Sequence, residues 1–154
     1  MRLLEKLATA FALLGGLFAL LVAGMTLWSV IGRNLFAHPI PGDIELSQIG
    51  IALAIALCLP WCQLRRGNII VDFFTQAAPE RVNGVLDRFG ALLLAVMLGL
   101  LAWRTGVGAL AVGEADEQTM ILGLPIWWAY AILAPGLALT AVIAVVQAIG
   151  RGDA

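Results

Sequence analysis

The chain has 154 residues, of which 62% are hydrophobic and 12% charged, with a formal net charge of −1. Ordinary globular proteins carry roughly 25% charged residues, so this composition excludes a soluble domain. The polar connections are too short to hold a second one, and a single membrane domain over residues 1–154 is expected.

A hydrocarbon core of roughly 30 Å takes about 20 helical residues to cross. Helices also satisfy their own backbone groups, which lipid does not do. Apolar runs of that length occur over about 7–32, 44–64, 85–112 and 126–149. The expected fold is an all-α integral membrane protein with four transmembrane helices and a short interfacial amphipathic helix between spans 2 and 3.

Arg2 and Lys6 precede the first run, which continues without a charge from Leu7 to Gly32. A secretory signal has an apolar stretch of about 7–15 residues before its cleavage site, so this longer run is read as a retained span. It closes at Arg33-Asn34, and Pro39-Ile40-Pro41-Gly42 then forms a turn. Asp43 stands where a helix N-cap is wanted, and Glu45 falls in the first helical turn, both suited to the positive end of the helix dipole.

In the second span, Cys58 and Cys62 share a helix face. A structural zinc site needs four ligands, and the single histidine, His38, belongs to a distant loop. The cysteines are therefore read as small buried hydrophobes. Pro60 predicts a local kink, and the span ends at Arg65-Arg66-Gly67, where the arginines meet headgroups. The next segment, Ile69 to Ala78, is too short to cross. Ile69, Ile70, Phe73, Phe74 and Ala77 share one face, with Asp72, Thr75 and Gln76 opposite, the pattern of a helix lying in the interface.

Pro79 suits the first turn of the third helix, which passes Asp87-Arg88 before entering the membrane. Ala91, Ala95 and Gly99 make a small-residue stripe of the kind that lets helices approach closely in lipid. Arg104 is the one charge beyond the span ends, at intramembrane depth. At the bilayer centre an arginine costs about 2.5–3.5 kcal/mol on insertion scales. Sixteen residues separate it from Arg88, about 24 Å of helix, which puts it close to the outer boundary and within snorkelling reach. Its candidate ionic partners are Glu45 and the outer acidic cluster Glu114, Asp116 and Glu117; Arg33 and Asp43 are further anchor or ion-pair candidates. A direct substrate-binding role is the sharper alternative for Arg104.

The last span opens with Pro125-Ile126-Trp127-Trp128-Ala129-Tyr130. Proline is expected to begin the helix, with Trp127, Trp128 and Tyr130 as interfacial anchors on the outer side and Arg65 and Arg66 on the inner. Pro135-Gly136 predicts a kink inside this span. With the N-terminus in the cytoplasm, Arg2, Lys6, Arg65, Arg66, Arg81, Arg88 and Arg151 all lie inside, while Arg33 alone sits in an outer loop. The positive-inside bias therefore expects both termini in the cytoplasm.

Several functions lose their chemistry on this inventory. A transmembrane cytochrome needs paired axial histidines, and a membrane hydrolase needs a nucleophile or convergent carboxylates. A four-span drug–proton antiporter needs an acid within a span, and Glu45 sits only at a boundary. No internal repeat points to an inverted-repeat transporter core. The residues describe a helper or scaffold subunit and not an enzyme, with no catalytic, cofactor, metal or substrate site of its own.

The order of several short motifs resembles a known family. These are Arg33 at the end of the first span, Pro41 to Glu45 opening the second, then Leu64-Arg65-Arg66-Gly67-Asn68-Ile69-Ile70-Val71-Asp72, Pro79 and Arg81, the aromatic segment Leu122 to Tyr130, and Pro135. Together they resemble the small membrane subunit (Q or DctQ type) of tripartite ATP-independent periplasmic (TRAP) transporters, over about residues 33–135. The resemblance implies a bacterial inner-membrane complex. A large M-type membrane subunit would hold the sodium and substrate sites and move like an elevator. A periplasmic substrate-binding protein would deliver an organic acid, and this chain would scaffold the large subunit in sodium-driven uptake. The partners implied are those two proteins and membrane lipids, with no nucleic acid and no cofactor in this chain. Two other readings stay open: the small subunit of a tripartite tricarboxylate-type transporter, and a self-associating membrane scaffold or channel unit.

Overall fold

The computed structural model describes residues 2–36, 40–65 and 80–149. They form four α-helices: α1 (Arg2–Phe36), α2 (Asp43–Leu64), α3 (Glu80–Glu114) and α4 (Trp127–Ile149). All four are long and apolar enough to cross a membrane. The expected interfacial helix at 69–78 lies outside the described residues.

The bounds of α2 and α4 follow the apolar runs within a residue. α1 and α3 are longer than those runs, at 35 residues each. That is about 52 Å of helix, well over a hydrocarbon core of roughly 30 Å. Their extra turns carry charged residues, Arg2, Glu5, Lys6 and Arg33 in α1 and Glu80, Arg81 and Glu114 in α3. A polar turn continues a helix as readily as an apolar one, because both hold the same backbone bonds.

The helices do not close into a bundle. α1 packs on α2, α2 on α4 and α4 on α3, α1 also meets α4 at a few positions, and among the described residues α3 touches neither α1 nor α2. The result is an open row in the order α1–α2–α4–α3. Two antiparallel hairpins, α1–α2 and α3–α4, stand side by side through α2 and α4, which run in the same direction. The core follows that layout. Leu53, Ala54, Ala56 and Leu57 of α2 and Ala129, Ala141, Ile143 and Ala144 of α4 are buried, whereas α3 contributes only Ala95 and Leu98.

Small residues set the closeness of the central seam. A methyl group on Gly136 of α4 would stand 2.5 Å from the Ala56 carbonyl oxygen of α2. That same carbonyl is the one Pro60, four residues on, has no N–H to satisfy. A glycine Cα can meet such an oxygen through a weak Cα–H···O contact, as at other helix–helix interfaces. Both helices continue through their prolines, Pro60 in α2 and Pro135 in α4. On the other side of α2, Gly15 of α1 allows a similar approach to Ala54 and Cys58. Of the small-residue stripe on α3, Ala95 is buried, but nothing comes near Gly99.

Candidate functional site

Polar side chains gather at the two ends of the α2–α4 seam. At the end that the positive-inside expectation makes the inner one, the Gln63 side chain donates to Gln147 Oε1 at 2.7 Å. Gln147 Nε2 in turn donates to the Gln63 carbonyl oxygen at 2.8 Å and the Leu64 carbonyl oxygen at 3.4 Å. Gln63 is buried, so this pair satisfies amides that lipid would leave unsolvated. Sequence reading passed over both glutamines, because a single glutamine near a span end has no distinguishing spacing. Arg65 lies just beyond, its guanidinium 4.6 Å from the Trp61 ring centroid. That is a cation–π contact one turn along the helix.

At the opposite end, Asp43 and Glu45 both fall in the first turn of α2 as expected, but Asp43 is not the N-cap. The N-cap residue is Gly42, with φ 72° and no side-chain cap. Glycine is needed there twice over, for its left-handed backbone and because a Cβ would collide with Leu122. Asp43 turns to α1 instead. Its Oδ2 accepts from Ser29 Oγ at 2.5 Å and lies 3.4 Å from Arg33 Nη2. Ser29 is buried and also accepts, at 3.4 Å, from the Ile40 amide. A carboxylate one helix away thus ties down the α1–α2 turn.

Glu45 turns the other way, toward the loop between α3 and α4. Its two carboxylate oxygens accept from the Ile121 amide at 2.8 Å and the Leu122 amide at 3.2 Å. The loop is tied to itself by an isolated antiparallel bridge between Gln118 and Pro125 and by the Thr119 hydroxyl, which accepts from the Leu124 amide. Pro125 belongs to this loop, two residues ahead of α4, and does not open the helix. Glu45 is therefore a clamp on an adjacent connection and not a partner for Arg104.

Arg104 projects from α3 on the face away from α4 and is exposed. The structure brings neither Glu45 nor Glu114, Asp116 or Glu117 to it, and the ion pair formed among the described residues is Arg33–Asp43. Its depth is set by the α3–α4 contact. Gly113 lies against Trp127 and Gly108 against Tyr130, so Arg104 sits one turn, about 6 Å, further in than the Tyr130 ring. Trp127 and Tyr130 are exposed and Trp128 is half-buried. Arg66 lies outside the described residues.

Between α1 and α2 runs an open apolar groove of about 660 Å³, lined by Ala19, Val22, Leu27, Ile51 and Ile55 with Thr26 as its polar member. Cys58 and Cys62 form no disulfide and are each half-buried, and the Cys58 thiol donates to the Ala12 carbonyl oxygen at 3.9 Å. No group of three or more histidine, cysteine, aspartate or glutamate side chains gathers among the described residues. The polar groups described above hold helices and loops to one another.

Residues 22–152 match the sequence profile of the family described as tripartite ATP-independent periplasmic transporters, DctQ component. No curated protein and no solved structure matches the chain.

Proposed function

This chain belongs to the DctQ component family of TRAP transporters, and from that premise we propose that it braces the large membrane subunit during sodium-driven uptake of an organic acid. It is the small membrane subunit, and a periplasmic binding protein hands the substrate to the complex. The observation that carries the bracing role is the open row of helices. A closed bundle hides its apolar residues from other proteins, whereas a row exposes two long faces and two edge helices to the membrane plane. Exposed Leu13, Leu17 and Leu20 on α1, and Leu93, Leu100 and Trp103 on α3, are free for contact. A moving domain works only against a stationary frame, and a layer one helix thick adds width to that frame at little cost in chain length.

The proposed setting is the bacterial inner membrane with both termini in the cytoplasm. The asymmetry of basic residues supports it: α2 ends at Arg65 and α3 carries Arg88 near its start, on the side where positive charge is retained. Reporter fusions after Arg65 and after Glu117 are expected to report cytoplasm and periplasm respectively; the reverse pattern removes this topology.

The bracing role is tested in liposomes under a sodium gradient, with the binding protein present. Uptake is expected with both membrane subunits and with neither alone. Uptake by this chain alone ends the bracing proposal, and full uptake by the large subunit alone makes the chain dispensable.

A further inference from the structure

We infer that the outward face of α3 is the surface that seats a transmembrane helix of the large subunit, and that a carboxylate on that helix pairs with Arg104. The inference rests on the small-subunit reading above and specifies which helix and which charge make the contact. Leu93, Met97, Leu100, Arg104, Val107 and Ala111 are spaced alternately by four and three residues, and all are exposed. That is the seam of a left-handed helix pair, and α3 meets nothing on that side, since α4 is its one neighbour among the described residues. The seam is apolar except at Arg104. A single polar residue at a seam position sets register and partner by demanding a complement.

The complement has to be anionic, and the depth of Arg104 favours protein over lipid. Arg33, in the last turn of α1, has Asp43 beside it, while no acid among the described residues reaches Arg104. Arg104 lies a turn inside the level of Tyr130. Side chains on a helix tilt toward its N-terminus, which for α3 is the inner side. The Cα–Cβ bond of Arg104 therefore points away from the outer headgroup phosphates, and the side chain has to turn back along the helix to meet them. A carboxylate on a packed helix can stand at that depth, and a lipid phosphate reaches it only by drawing headgroup and water inward.

The test uses the full chain co-expressed with its large subunit. A photo-crosslinking amino acid at Leu100 is compared with one at Leu20, on the exposed side of α1. Leu100 is expected to capture the large subunit. Arg104→Leu is expected to lower the large subunit recovered in mild detergent by about tenfold, because one charge of a desolvated pair is left unmatched. Arg104→Lys should retain most of the recovery. Circular dichroism of the chain alone should be unchanged in both, separating a lost contact from a lost fold. Arg104→Glu should abolish recovery and regain it when the carboxylate found opposite is replaced by lysine, a reversal that a merely structural arginine would not show.

Capture of lipid alone from Leu100, with recovery indifferent to Arg104→Leu, overturns the inference in favour of a headgroup anchor. Capture of a second copy of this chain overturns it in favour of self-association. A wild-type chain that folds but never recovers the large subunit removes the small-subunit bracing reading itself.

Discussion

The central pair of helices and the two edge helices are all apolar enough to cross a membrane, yet they are held in place by different means. α2 and α4 meet through glycine, alanine and a carbonyl left free by proline, with a polar clasp at each end: Gln63–Gln147 inside and Glu45 on the Ile121 and Leu122 amides outside. α1 and α3 bring leucines and valines in quantity and one tryptophan each, and most of these face outward. In water such faces would drive collapse into a bundle. In lipid they gain nothing by meeting one another, so close packing and hydrogen bonds decide which helices touch. Bulk apolarity places a helix in the membrane; small residues and polar clasps choose its neighbours.

That contrast breaks most sharply at glycine. Gly136→Leu should force the α2–α4 seam apart, costing about 3 kcal/mol as an overpacked contact, read as unfolding equilibria in mild detergent. Gly99→Leu enters open space on α3 and should stay within about 0.5 kcal/mol, as surface substitutions do. Equal losses at the two sites would mean that the seam is no tighter than the edge.

Removing the outer clasp should have a smaller and more local effect. Glu45→Ala strips two charge-assisted bonds from the loop and should loosen it locally. Hydrogen exchange at the Ile121 and Leu122 amides should quicken, while amides in the middle of α2 keep their rates. Gln147→Leu at the inner end should cost about 1 kcal/mol, the usual scale for a side-chain hydrogen bond between membrane helices. Thermal unfolding of that variant against Gln63→Leu and the double variant would show whether the two act as one unit.

The smallest effects belong to the edges. Asp43→Ala should cost about 1 kcal/mol by leaving buried Ser29 without its acceptor, measured as a shift in midpoint for the α1–α2 hairpin. Leu20→Ala, at a side chain 73% exposed, should change the isolated chain by no more than about 0.5 kcal/mol. A large loss at Leu20 would place α1 in a contact that the isolated chain does not show.

Apolar run lengths alone were enough for four helices and for the bounds of α2 and α4, since membrane thickness and backbone bonding leave little choice. Family motifs such as Pro41 to Glu45 and Leu122 to Tyr130 were also legible, because their order along the chain is informative without any geometry. Which carboxylate meets which donor was not legible. Asp43 and Glu45 look alike as acids at a helix start, and their side chains leave in opposite directions only because one faces α1 and the other faces the α3–α4 loop. The row order α1–α2–α4–α3 was hidden as well. Hydropathy is nearly uniform around each helix, so it carries no sign of which faces pair. Close approach at Gly136 and the reach of Gln147 depend on atoms from helices some 80 residues apart. Proximity of that kind exists only once the chain has folded.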